Sequence, residues 1–305
     1  MARSTRVPDR RTAPRPATIL DRLPAWATTG VGSLPHTFPD HAAAHVVGEY
    51  DVPFCPQLPR LEGDMVGEWL GADPLRCGWA RDRDRERPAA WDAFLAALAR
   101  RPPAHGVVKL QVTGPVTLAR ALEPHDPRAA SRLAGELAAW LAANARGQVA
   151  ALRARGLGAL LVVDEPALAA RSAPETVWDP LRAAAPAWGL HLCCAVPWGL
   201  VDRARPDVLS FDLAVNAIDR ASARILARHL ARGGRVAWGV LAAHRPERAA
   251  HAAWRLSAAL ARLGASPAAV GPSSLLTASC GTGRLSPRRE AEVTAALAYV
   301  AASAR

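Results

Sequence analysis

From about residue 26 to residue 303 the chain alternates short apolar runs, rich in Val, Leu and Ile, with longer stretches of helical period. A run that is apolar on both faces has to be covered on both, and parallel strands buried beneath crossover helices satisfy that demand. Eight runs are expected as strands: Trp26–Val31, Val52–Pro56, Val107–Val112, Ala159–Val163, Leu190–Cys194, Asp207–Phe211, Arg235–Val240 and Leu275–Ser279. Helices are expected over Pro39–Gly48, Ala89–Arg101, Ala129–Arg155, Ala217–Arg232, Arg245–Leu263 and Ser286–Ser303. Eight strand–helix units in this order predict an α/β fold, a closed (β/α)8 TIM barrel spanning residues 26–305. The preceding residues 1–25, rich in Arg and Pro, are expected to form a disordered basic tail.

Composition narrows the functional classes. Half of the 305 residues are apolar, enough for a large buried core, yet no uninterrupted apolar stretch reaches membrane-spanning length. With no apolar export signal at the start, a cytoplasmic protein that does not engage membranes is expected. The formal charge of +11 would suit a nucleic-acid partner only if the basic residues clustered. They do not cluster: residues 1–25 carry six Arg against two Asp, and the remaining excess is spread along Arg-Ala-rich helices. No nucleic-acid partner is expected. Arg outnumbers Lys 37 to 1, which reads as a compositional bias. The five cysteines, Cys55, Cys77, Cys193, Cys194 and Cys280, are odd in number and irregularly spaced, so reduced thiols rather than a disulfide framework are expected.

The polar residues fall where a barrel would use them. Ser33 and His36 follow the first expected strand, Gln57 the second, Thr113 the third, and Asp164 with Glu165 the fourth. His191 and Cys193 close the fifth, Asp212 ends the sixth, His244 follows the seventh and Cys280 the eighth. Active sites in this fold are built at the carboxyl ends of the strands, so these residues converge on one mouth. His191 and Cys193, two apart on a strand, project from the same face and can reach one metal ion. Cys280 arrives from across the mouth and Asp212 from the next strand, a thiolate, imidazole and carboxylate set that suits Zn²⁺. Cys194 points to the opposite face and is assigned, with Cys55 and Cys77, to packing.

Six segments in order carry a family resemblance. They are Thr28-Thr29-Gly30-Val31-Gly32-Ser33-Leu34-Pro35, Val112-Thr113-Gly114-Pro115-Val116-Thr117, Asp164-Glu165-Pro166-Ala167, His191-Leu192-Cys193, Gly239-Val240 with His244-Arg245-Pro246, and Ser279-Cys280-Gly281. Together they resemble the catalytic C-terminal barrel of cobalamin-independent methionine synthase, within the superfamily that also holds uroporphyrinogen decarboxylase. The resemblance implies His191, Cys193 and Cys280 as zinc ligands, with Asp212 standing where the family has a longer glutamate. It implies Asp164 as the receptor for the amino group of homocysteine, the backbone around Ser33 for its carboxylate, and His244 as the general acid for the departing methyl carrier. Asp64-Met65-Val66-Gly67-Glu68 is similar to a substrate-binding segment of the long enzymes, with a glycine inserted before Glu68.

The expected activity is therefore zinc-dependent methyl transfer to homocysteine thiolate, forming methionine, with a small-molecule thiol and a methyl donor as partners. The long family members carry a second, N-terminal barrel that helps to form the folate site, and the present residues hold no counterpart. The donor is accordingly open between methyltetrahydrofolate and a methylcorrinoid, the latter free or carried by another protein. The alternatives are a zinc-dependent alkyltransferase acting on another thiol, and a non-catalytic zinc-binding accessory protein. Metal-free decarboxylases of the same barrel would have no use for His191, Cys193 and Cys280 together.

Overall fold

The computed structural model describes residues 17–70, 88–123, 125–168, 173–243 and 247–305. Within them run the strands β1 (Ala27–Thr28), β2 (Val107–Thr113), β3 (Gly158–Asp164), β4 (Ala187–Leu192), β5 (Val208–Asp212), β6 (Arg235–Leu241) and β7 (Ser274–Ala278). The longer helices are α1 (Pro39–Glu49), α2 (Trp91–Arg100), α3 (Pro115–Leu122), α4 (Pro127–Arg153), α5 (Trp198–Ala204), α6 (Arg220–Ala231), α7 (Ala249–Leu263) and α8 (Pro287–Ala304). Helix starts follow their chemistry. The Asp126 side chain accepts from the Arg128 and Ala129 amides ahead of Pro127, Asp219 caps α6 in the same way, and the Ser286 hydroxyl caps α8. α7 stops at Gly264, which turns into the left-handed region with φ 66°.

The strands form one wholly parallel sheet in the order β1-β7-β6-β5-β4-β3-β2. This TIM-like arrangement has seven strands among the described residues, and the expected closed, eight-stranded barrel is not formed. The missing strand is Val52–Pro56. Pro53 and Pro56 have no N–H to give to a ladder, so the segment is reduced to isolated bridges, Phe54 with Lys109 and Ser33 with Gln57. It nevertheless lies between the two edge strands. The Val52 amide donates to the Thr28 carbonyl at 2.9 Å and the Cys55 amide to the Lys109 carbonyl at 3.1 Å.

Alternation along each strand separates two cores. Outward residues such as Leu110, Leu161, Trp188, Phe211 and Trp238 pack beneath the helices, and each fully buried side chain of this size stabilises the fold by about 1.5–3 kcal/mol. Inward residues from every segment, Ala27, Val52, Val107, Leu160, Ala187, Val208, Ala237 and Leu275, fill the amino-terminal half of the interior. That layer is sealed from below by Leu20 and Leu23, carried on the 3₁₀ turn Ile19–Arg22. Leu20 and Leu23, which precede residue 26, thus share in this packed layer; residues 1–16 lie outside the described residues. Among the described residues no helix is long and apolar enough to cross a membrane.

Candidate functional site

Above the apolar layer the interior becomes polar. On β2 the inward sequence is Val107, Lys109, Gln111, Thr113; on β4 it is Ala187, Gly189, His191; on β5 it is Val208, Ser210, Asp212. The carboxyl end of the sheet is therefore the chemical end, as in barrels of this kind.

His191 is buried and held by one neighbour, its Nδ1 lying 2.8 Å from the Ser210 hydroxyl on β5. The other ring nitrogen, Nε2, is buried without a well-formed hydrogen bond. Its surroundings are sulfur. Cys193, just past β4, and Cys280, just past β7, interact through their side chains, and the His191 ring stands close enough to assist. The Cys280 thiol is drawn down by the hydrogen bond from Cys193 and further by His191, against burial, while the same bond to Cys280, together with burial, pushes Cys193 up. Of the two, Cys280 is the one whose thiol is pushed toward the thiolate. The three side chains are neighbours, yet among the described residues no three His, Cys, Asp or Glu donors already converge as a closed metal cage.

Asp164, the last residue of β3, lies beside this group. It is buried and one carboxylate oxygen, Oδ1, has no partner. Burial raises its pKa to about 6, opposed by His191 and Lys109 and reinforced by Cys280. Asp212 is also inward and buried, but its Oδ1 accepts from the Ala214 amide at 2.7 Å and the Val215 amide at 3.3 Å. Through this oxygen it caps the turn after β5. Ser33 sits against the loop after Cys280: its carbonyl accepts from the Thr282 amide at 2.8 Å and its hydroxyl from the Gly283 amide at 3.4 Å. Glu68, in the turn Gly67–Leu70, accepts from the Gln57 side chain at 2.6 Å, and Gln57 bridges to Ser33. His244 and Cys77 lie outside the described residues.

Cys194 is half-buried, with its sulfur 3.8 Å from the Glu165 carbonyl. Glu165 is a structural group: its carboxylate accepts from the Val116 and Thr117 amides, the Thr117 hydroxyl and the Trp178 indole at 2.7–3.1 Å, holding the start of α3. Two features escaped the sequence reading. One is Lys109, buried in the interior; its being the chain's only lysine was a signal that compositional bias obscured. The other is Glu290, fully buried in the first turn of α8, whose carboxylate accepts from the Tyr50 hydroxyl at 2.7 Å. Residues so far apart in the chain gave no local pattern.

The fold and site define a class: an α/β protein with a parallel TIM-like sheet and a thiol, imidazole and carboxylate group at its carboxyl end. A scan against protein-family models finds no match, and a search of curated proteins finds none. Among solved structures, the chain is similar to a B12-independent methionine synthase from Shewanella sp. W3-18-1 in complex with selenomethionine. The TM-score is 0.65 at 15% identity, over 92% of this chain and 97% of that one. At that identity the likeness shows a shared fold.

Proposed function

We propose that this chain is a zinc-dependent S-methyltransferase that alkylates a small-molecule thiol, with homocysteine as acceptor and methionine as product. The observation that carries the reading is the meeting of Cys193 and Cys280 beside the unpartnered Nε2 of His191 at the carboxyl end of the sheet. A buried imidazole nitrogen without a well-formed hydrogen bond, beside two interacting cysteine sulfurs, is a donor set that fits zinc in kind. His191, Cys193 and Cys280 would hold the ion, and Asp212 would join them through Oδ2 while Oδ1 keeps its two amides.

A bound zinc ion would supply positive charge that keeps the acceptor's sulfur deprotonated at neutral pH, where a free thiol of pKa about 8.5 is only a few per cent thiolate. The chain's own residues do the rest. The unpartnered oxygen of Asp164 would receive the acceptor's ammonium group, since a buried carboxylate gains most from a charged donor. The loop joining Ser33 to Thr282 and Gly283 would hold its carboxylate, and Glu68 would approach through Gln57. The sulfur–methyl bond forms as the bond from methyl to carrier breaks, and the carrier takes a proton, for which His244 is the proposed source. The structural likeness to a methionine synthase agrees with this reading at the level of fold.

The test is metal analysis of the purified protein beside Cys193→Ser and Cys280→Ser. Close to one zinc per chain in the parent and loss of it in each variant is the expected result; equal metal content in all three removes the basis of the proposal. Homocysteine methylation with methyltetrahydrofolate and with methylcobalamin, run in parallel, then identifies the donor.

A further inference from the structure

The basic residues of this chain are arginines with one exception, Lys109, and that exception is buried in the interior of the sheet. A composition that replaces lysine by arginine at every other basic position leaves this one in place. The reason is steric and chemical. The ammonium donates to the Val31 carbonyl and to the Gln111 side chain, the latter at 3.2 Å, and stands 5.6 Å from the centre of the Phe54 ring. A planar guanidinium is larger and directs its donors in a fixed fork, whereas an ammonium serves carbonyls in a confined space as a compact point donor.

What Lys109 and Gln111 touch is informative. Gln111 donates through its side-chain amide to the Cys55 carbonyl. Val31 and Cys55 belong to the two segments flanking the seam where Pro53 and Pro56 interrupt the ladder between β1 and β2. Two inward side chains of β2 thus take up carbonyls there. The same seam carries Ser33, two residues past Val31, and Gln57, two past Cys55, which bridge to each other and reach Glu68.

We propose that Lys109 is a positioning residue: its ammonium ties the segment after β1 to β2 and thereby sets where Ser33 and Gln57 meet the ligand at the mouth. This rests on the methyltransferase reading only for the identity of that ligand. Burial lowers the pKa of Lys109 to about 8, while Asp164 and Cys55 act in the opposite direction, so the amine stays largely protonated at neutral pH. Loss of the ammonium would leave the Val31 carbonyl without this donor and should loosen the seam before the rest of the sheet.

The experiment compares amide hydrogen exchange in the parent and in Lys109→Met, which keeps the aliphatic stem and deletes the charge. Exchange in segments 29–36 and 52–57 should rise at least tenfold while β4, β5 and β6 stay within twofold. Unchanged exchange in those two segments, or an equal rise in every strand, overturns the proposal. If Lys109→Met does not fold, Gln111→Leu, which removes the tie to Cys55, carries the same comparison in 52–57. Steady-state kinetics add a readout that general loss of stability would not move: KM for homocysteine should rise about tenfold with kcat within twofold. A fall in kcat at constant KM also overturns it. Should the parent transfer no methyl group at all, the proposed function fails, and the exchange pattern still decides the role of Lys109.

Discussion

The Cys280 sulfur, beyond the end of β7, lies against that of Cys193, beyond the end of β4, and the hydrogen bond between them lowers the pKa of Cys280 while raising that of Cys193. The metal-stripped protein should therefore show one unusually reactive cysteine. The Cys280 residue reaches solvent although its sulfur is crowded by Cys193 and His191, whereas Cys55 is buried, so iodoacetamide at pH 6 should label Cys280 at least about tenfold faster than Cys55. Peptide mapping by mass spectrometry reads the site. Cys193→Ala removes the donor and should move the pH midpoint of Cys280 labelling upward. A midpoint that sits near pH 8.5 in the parent and does not respond to the variant would show that the two sulfurs do not share a proton.

Asp164 makes the opposite kind of prediction, about stability. Its folded pKa of about 6 lies above the ordinary 3.8, so the folded protein holds this proton more tightly than the unfolded chain. Stability contributed by the protonated form is complete at low pH and is lost as pH rises from about 4 to about 6. Above that window the buried charge costs on the order of 2–3 kcal/mol. In metal-free protein, Asp164→Asn should raise the thermal midpoint at pH 7.5 and leave it nearly unchanged at pH 4, while methyl transfer falls by at least about a hundredfold if Asp164 holds the acceptor's ammonium. Calorimetry at both pH values is the check, and a variant less stable at pH 7.5 would refute the assignment of burial as the dominant cause.

Gly114, between β2 and α3, is expected to be intolerant of even one methyl group. A Cβ there would stand 2.0 Å from the Glu165 side-chain carbon, and Glu165 cannot retreat without releasing the Val116 and Thr117 amides and the Trp178 indole. Gly114→Ala should cost on the order of 2–4 kcal/mol, from overpacking plus lost hydrogen bonds. A shift in urea midpoint measures it, and a midpoint equal to that of the parent would mean that Glu165 has room to move.

Much of this was readable from periodicity, because strands buried on both faces and helices with one apolar stripe write different patterns. The helices at Pro39–Glu49, Trp91–Arg100 and Pro287–Ala304 fall within a few residues of expectation. Val52–Pro56 has the apolar content of a strand, but Pro53 and Pro56 lack the N–H groups that a ladder needs, so it forms isolated bridges. The short helices at Pro115–Leu122 and Trp198–Ala204 were passed over, being too brief to establish a period. His191, Cys193, Cys280, Asp164 and Ser33 could be assigned to one mouth because strand ends are visible in sequence. The direction of a side chain is not, and sequence could not show that Oδ1 of Asp212 accepts from the two amides of its own turn. Lys109 and Glu290 act through partners far along the chain, and no local spacing announces them.

Glu290 gives the last test. Burial pushes its pKa up, but hydrogen bonds from His45, Thr282 and Tyr50 outweigh that and hold it below the usual glutamate value of 4.5. A depressed carboxyl stabilises the fold above the unfolded pKa, and the contribution is lost as pH falls below about 4.5. Glu290→Ala at pH 7 leaves the buried Tyr50 hydroxyl without its carboxylate, and breaking a buried polar network of this kind costs about 3–5 kcal/mol. Glu290→Gln keeps an acceptor for Tyr50 and should cost about 1–2 kcal/mol. Urea midpoints of parent and Gln variant should stay apart from pH 7 to about 4.5 and converge below it, as the parent carboxylate takes up its proton. The consequence reaches the site, since Thr282 also donates its amide to the Ser33 carbonyl at 2.8 Å. Glu290→Ala should thus weaken the hold on the Cys280 loop, read as faster amide exchange at Gly281, Thr282 and Gly283; a variant with parent-like exchange there would confine Glu290 to holding α8 against α1.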